Sequence, residues 1–156
     1  MKLDWKKLLL CLAIPLGVGG LAALLTGGGM GDYSDFVKPP YSPPGWLFPV
    51  VWTILYLVMG YASYRVVTKA AEKVKIRRAL CLYCAQLAVN FLWPLVFFAL
   101  NWYLAAFFVL LVLWVLVFLT IYAFGDVDER AGDMLLPYIL WITFAAYLNV
   151  GVYLLN

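Results

Sequence analysis

Hydrophobic and polar positions fall in long blocks along this chain rather than in short periods. Residues 8–31 form a run of 24 without a charge, residues 39–64 one of 26, residues 79–125 one of 47 and residues 134–156 one of 23. About 20 apolar residues in helical form cross a hydrocarbon core of about 30 Å. Three of the runs therefore hold one crossing each. The 47-residue run would be about 70 Å long as a single helix, so it crosses twice. Asn101 is the polar break near its middle, and beside it Trp102 and Tyr103 are aromatics of the kind that sit at a membrane interface. The pattern predicts an all-α integral membrane protein. A single domain over 1–156 carries five transmembrane helices at about 6–26, 46–67, 79–100, 103–124 and 134–155.

Composition agrees. Of 156 residues, 67% are hydrophobic and 12% charged, against about 45–50% and 25% in a soluble domain. A water-soluble monomer, a disordered tail and a nucleic-acid binder are excluded. The charges also orient the bundle. Five crossings put the N-terminus, the second loop and the fourth loop on one side. That side collects Lys2, Lys6, Lys7, Arg65, Lys69, Lys73, Lys75, Arg77, Arg78 and Arg130, and the other only Lys38. Basic residues favour the cytoplasm, so the N-terminus is expected inside and the C-terminus outside. The first segment is longer than a signal-peptide core and lacks a small-x-small cleavage site, so it is expected to be a retained helix. A bacterial plasma membrane suits a short chain without a transit peptide. The polybasic second loop sets topology, and it is also of the kind that binds anionic lipid headgroups.

Several chemistries lack their residues. There is no histidine, hence no Ser-His or Cys-His catalytic pair and no histidine ligand for haem or zinc, and no metal site is expected. No ionisable residue lies within the five apolar cores, with Arg65 at the inner end of the second helix, which argues against an ion-coupled pump or a proton relay. The acidic stretch Asp126, Asp128, Glu129 and Asp133 lacks calcium-loop spacing and is expected to be a solvated loop in which Asp133 caps the fifth helix. Cys81 and Cys84 form a C-x-x-C that opens a membrane helix, not the βαβ context of a redox motif. With Cys11 they read as small packing residues.

What remains is aromatic and polar. Trp52, Tyr56, Met59 and Ser63 share one face of the second helix, and Gln86, Asn90, Trp93 and Phe97 one face of the third. Tyr138, Trp141, Ala145 and Asn149 cluster on the fifth. Amides in hydrocarbon need hydrogen bonds, so Gln86 and Asn90 are expected to face the interior. Three such faces make either an aromatic cavity for a flat apolar ligand with a polar edge or an ordinary packed core, and spacing alone leaves the two equal. Pro15, with Gly17, Gly19 and Gly20 behind it, predicts a kink or close approach in the first helix. Pro94 is expected to free a backbone carbonyl near Asn90. Loop 27–45 starts with Gly27, Gly28 and Gly29, stiffens at Pro39-Pro40 and Pro43-Pro44, and is placed to lid a pocket.

From Phe36 the run FVKPPYSPPGWLFPVVWTILYLVMGYASYR resembles the signature of the translocator protein family, also called tryptophan-rich sensory protein or peripheral-type benzodiazepine receptor. Lys38-Pro39, Pro43-Pro44, Trp46, Trp52, Tyr56 and Met59-Gly60 carry the match. Gln86, Asn90, Trp93, Pro94 and Phe97-Phe98 resemble the family's third helix, and LLPYILWITFAAYLN its fifth. The resemblance covers nearly the whole chain. It implies a five-helix bundle, usually a homodimer, with a pocket opening toward the first long loop. The implied ligands are porphyrins such as protoporphyrin IX and haem-related tetrapyrroles, with drug-like isoquinoline carboxamides and benzodiazepines; no cofactor is required. The implied pocket residues are Tyr33, Trp46, Trp52, Asn90, Trp93, Phe97, Trp141, Ala145 and Asn149, with Tyr56, Gln86 and Tyr138 from the same faces. Neither Tyr147 nor Tyr153 is followed by the Lys or Arg of the animal cholesterol pattern, which argues against cholesterol. Tyr41 stands where the family commonly has Trp. Cys81, Ala85 and Ala88 make a small-residue stripe suited to dimer contact. Three functions are compatible with this reading: a receptor or carrier regulating tetrapyrrole level or movement, which leads; a light- and oxygen-dependent porphyrin-degrading enzyme working through Trp52 and Trp141; and a structural or lipid-organising membrane protein.

Overall fold

The computed structural model describes residues 2–27 and 30–156. Gly28 and Gly29, expected to let the chain turn, lie outside these, whereas Gly27 takes a left-handed φ of 64°. The first helix, α1 (Trp5–Leu25), begins where Asp4 accepts a hydrogen bond from the Lys7 backbone N–H at 3.2 Å. Such a cap satisfies one of the four orphan donors of a helix start. A short α2 (Met30–Asp35) precedes the proline-rich loop. Then follow α3 (Leu47–Thr68), α4 (Lys73–Pro94), α5 (Tyr103–Val127), α6 (Glu129–Met134) and α7 (Leu136–Leu155). Five segments are long and apolar enough to cross a membrane: Trp5–Leu25, Leu47–Thr68, Lys73–Ala99, Tyr103–Val127 and Glu129–Leu155. No strand occurs among the described residues. The protein is an all-helical integral membrane protein.

The core lies where α3, α4, α5 and α7 meet, around Met59, Val66, Leu110, Leu113, Phe124, Tyr138 and Ile142. α1 packs on α3, and α5 contacts both α4 and α7. Glycine sets the closest of these approaches. A Cβ on Gly60 would stand 2.7 Å from the Cys11 carbonyl oxygen and 2.9 Å from the Leu12 Cα. The expected close approach of α1 sits at Gly19, where a Cβ would overlap the Tyr56 ring.

Three departures from the sequence reading have physical causes. The third crossing starts at Lys73 rather than at 79, because lysine and arginine are good helix formers whose charged ends reach water beyond the apolar edge. After Pro94 the helix continues as a π segment, Leu95–Ala99, closed by the Leu100 N–H on the Leu95 carbonyl at 3.0 Å. Asn101 then takes the left-handed φ of 57° that asparagine tolerates. The acidic stretch is not a solvated loop capped by Asp133. Asp128 is the cap, accepting from the Arg130 N–H at 3.1 Å, and Asp133 is exposed.

Asp128 is 7% exposed and meets Arg65 Nε at 2.7 Å, tying the end of α3 to the α5–α6 junction. A buried carboxylate without such a partner would be costly. Burial alone would raise the Asp128 carboxyl. The hydrogen bonds from Arg65 and the Arg130 backbone, with the charges of Arg65 and Lys69, outweigh it and hold the carboxyl below its ordinary range. A lowered folded value stabilises the protein above the unfolded value, and the stabilisation fades as pH falls through the folded one. The gap in melting temperature between the parent and Asp128→Asn is therefore expected to close as pH drops below about 4. A gap constant from pH 7 to pH 3, followed by thermal unfolding in detergent, would contradict this account.

Candidate functional site

Between α1, α3, α4 and α7, at the end away from the basic residues, lies a cavity of about 330 Å³. Its walls follow from helix faces. α3 supplies Trp52 and Tyr56 one turn apart, stacked at 5.6 Å between centroids. α4 supplies Asn90, Trp93 and Pro94, and the π segment adds Phe97 and Phe98, whose rings meet edge to face at 4.7 Å. α7 supplies Trp141, Ala145 and Asn149. Tyr33 and Phe48 close the loop side, 4.8 Å apart edge to face, and Phe48 reaches Trp141 at 5.8 Å.

Of the twelve residues singled out from the sequence, nine line this cavity: Tyr33, Trp52, Tyr56, Asn90, Trp93, Phe97, Trp141, Ala145 and Asn149. Trp46 does not; it caps the start of α3 and is 65% exposed. Gln86 and Tyr138 are buried in the core behind the wall. The sequence reading missed Phe48, Phe98 and the α1 wall of Leu16, Gly19, Gly20, Ala22, Ala23 and Thr26. Four of these six α1 residues are glycine or alanine and contribute space rather than functional groups, so the only signal was the cluster of glycines. Phe98 was quoted in the resemblance without being assigned to the wall.

The polar groups are mostly spoken for. Tyr56 Oη donates to Asn90 Oδ1 at 2.8 Å, Asn90 Nδ2 donates to Tyr138 Oη at 2.7 Å, and Tyr138 Oη donates to Gln86 Oε1 at 2.7 Å. Trp93 Nε1 donates to Asn149 Oδ1 at 2.9 Å, and Asn149 Nδ2 to the Tyr103 carbonyl at 2.8 Å. The side-chain amides expected to meet a ligand edge thus brace the bundle. Trp141 Nε1 differs: it is buried with no hydrogen-bond partner. An unpaired buried donor costs about 1–3 kcal/mol. No carboxylate, amine, guanidinium or thiol is in the lining, so the wall offers shape, π surface and N–H donors rather than acid–base groups.

Access is lateral. The exposed members of the lining are Gly20 and Ala23 on α1 and Pro49 and Thr53 on α3. The cavity therefore opens through the gap between these two helices, facing the bilayer. The loop over the other side is strapped down. Asn156 Oδ1 accepts from the Val37 N–H at 3.1 Å while its Nδ2 donates to the Val37 carbonyl at 2.9 Å. Tyr147 Oη donates to the Pro40 carbonyl at 2.7 Å, and Tyr33 Oη to that of Pro43. A Cβ on Gly151 would stand 2.5 Å from Pro39, so the loop lies directly on α7.

Comparison with known proteins places this arrangement. A model described as the TspO/MBR family matches residues 11–155. The chain is 37% identical over 150 residues to the tryptophan-rich protein TspO of Chlorobaculum tepidum, covering 96% of this chain and 95% of that protein. It is 38% identical over 156 residues to the tryptophan-rich sensory protein of Cereibacter sphaeroides, covering 100% of this chain and 95% of that protein. It is 34% identical over 148 residues to the human translocator protein, covering 91% and 85%.

Proposed function

Since this chain belongs to the TspO/MBR family, we propose that it is a membrane receptor or carrier that binds porphyrins and similar flat apolar molecules and regulates their level or movement. The observation that carries the reading is the uncharged cavity walled by Trp52, Trp93, Phe97 and Trp141. A tetrapyrrole is a large π plate with hydrogen-bond acceptors at its edge. Stacking and edge contacts with Trp52, Trp93, Phe97 and Trp141 suit the plate. The cavity is at the lower end of the range for ligand sites, about 300–1,000 Å³. The plate would thus seat one edge inside and leave the rest in the gap between α1 and α3. The same reading puts the basic end of the bundle at the cytoplasmic face of a bacterial plasma membrane, with Lys38 and the strapped loop outside.

Titration of the protein in lipid nanodiscs with protoporphyrin IX in the dark, followed by tryptophan fluorescence, tests this. Saturable quenching at micromolar ligand is expected. Trp141→Phe cuts the indole of the wall down to a single ring and is expected to weaken binding about tenfold, near the top of the range for one aromatic contact, about 0.5–1.5 kcal/mol. Trp5→Phe, at an exposed position by the basic end, is expected to leave binding unchanged. Binding indifferent to Trp141→Phe would overturn the assignment of the site. Illumination of the loaded protein in oxygen then separates the binding reading from the degrading one: a new absorbing product that requires Trp52 and Trp141 would make the protein an enzyme.

A further inference from the structure

The basic end carries a feature that the cavity does not use. Lys73, Ile76, Arg77, Leu80, Cys81 and Cys84 line one continuous surface of α4. At 100° per residue they fall within about 140° of one another, so they share a helix face. Lys73, Arg77, Cys81 and Cys84 are exposed, and Ile76 and Leu80 half-buried. The two cations sit together at the end of this face, and the rest of it is apolar. The only ion pair among the described residues is Arg65 with Asp128, so neither Lys73 nor Arg77 is neutralised by a carboxylate. Glu72, the N-cap of α4, makes neither a side-chain cap bond nor an ion pair with them. From Lys73 to Cys84 is about 16 Å along the helix, roughly one leaflet of a hydrocarbon core about 30 Å thick.

We propose that this face of α4 is a binding site for an anionic phospholipid of the leaflet at the basic end. Its phosphate lies between Lys73 Nζ and the Arg77 guanidinium, and an acyl chain runs along Ile76, Leu80 and Cys84. Charge complementarity selects this occupant. A zwitterionic lipid offers the same chain but adds a cation beside two others. A second copy of the chain seated on Lys73 and Arg77 would bring its own two cations to the same place; the small-residue stripe of Cys81, Ala85 and Ala88 lies further along and round the helix. A free phosphate would find the cations but leave the apolar surface uncovered. The site is independent of the cavity, and its test does not depend on porphyrin binding.

The measurement is native mass spectrometry of the full chain released from nanodiscs of equimolar phosphatidylglycerol and phosphatidylcholine. The parent is expected to retain phosphatidylglycerol over phosphatidylcholine by on the order of tenfold, as two interfacial cations imply. Lys73→Gln/Arg77→Gln is expected to bring retention to parity. Lys2→Gln/Lys6→Gln removes the same charge from exposed positions on the same side and is expected to keep the preference. Equal loss in both double variants would reduce the effect to diffuse surface charge and overturn the site. Retention unaltered by added glycerophosphoglycerol is expected, since the headgroup alone lacks the chain; displacement by it would assign a soluble phosphate ligand instead. Rapid Cys81–Cys81 disulfide cross-linking in the same nanodiscs, with no lipid retained, would give the face to a second copy and would equally overturn the proposal.

Discussion

Replacing Gly60 by valine is expected to separate α1 from α3 and to remove most of the folded protein. The position faces backbone rather than a movable side chain: the Cys11 carbonyl oxygen would lie 2.7 Å and the Leu12 Cα 2.9 Å from the first added carbon. No rotamer relieves such an overlap, so the whole helix must shift. Overpacking in a core costs about 1–3 kcal/mol where side chains can adjust, and this site belongs at or above the top of that range. Displacing α1 would also break the bond from the Asp4 N–H to Tyr64 Oη, 2.9 Å at the basic end. Gly17→Ala is the contrast. It meets nothing within 4 Å, and alanine in place of glycine within a helix is expected to add up to about 1 kcal/mol. Melting temperatures in detergent check both. A Gly60→Val protein that melts with the parent would mean that the two helices are not held this closely.

Tyr138→Phe is expected to cost about 2–6 kcal/mol, although it deletes one oxygen. The Tyr138 ring is 2% exposed and its hydroxyl links two amides, accepting from Asn90 and donating to Gln86. Without it, a buried N–H and a buried C=O lose their partners together, and each unsatisfied group costs about 1–3 kcal/mol. The damage reaches the cavity, because Asn90 is part of its wall and is held by Tyr56 and Tyr138 from two sides. Binding of protoporphyrin IX is therefore expected to weaken with stability, although Tyr138 is not in the lining. Tyr147→Phe removes an exposed hydroxyl bonded to the Pro40 carbonyl, and is expected to change stability by under about 1 kcal/mol. Equal melting of Tyr138→Phe and the parent would show that the relay from Tyr56 to Gln86 contributes nothing.

The aromatic faces were readable because helical spacing is a local property. Trp52 with Tyr56, Trp93 with Phe97, and Trp141 with Ala145 each lie one turn apart, and any helix through them presents the pair together. Trp46 shows the limit. It belongs to the same motif, but it immediately precedes α3 and its side chain is exposed. Gln86 and Tyr138 show another. Their faces point inward as expected, yet they lie at the depth where α3, α4 and α7 close on one another, and the cavity begins a turn further along. The α1 wall was hidden for a different reason. Glycine and alanine carry no chemical signal, and whether they leave a cavity or permit a tight contact depends on the facing helix. On α1 they do both, with Gly19 against Tyr56 and Gly20 and Ala23 beside the open gap.

Hydrophobic length and charge are sums over neighbouring residues. The amino-acid order therefore decides alone that this chain is helical, that it enters a membrane, that five segments cross it, and that the cations gather at one end. Hydrogen-bond partners are set by distances between helices far apart in sequence, and only the folded bundle decides them. It matches Arg65 with Asp128 across 63 positions, and gives Asn90 and Asn149 partners on both amide atoms while leaving the Trp141 N–H unpaired. It also places Gly20 and Ala23 of α1 and Pro49 and Thr53 of α3 at the exposed side of the cavity, beyond the close contact of Gly19 with Tyr56.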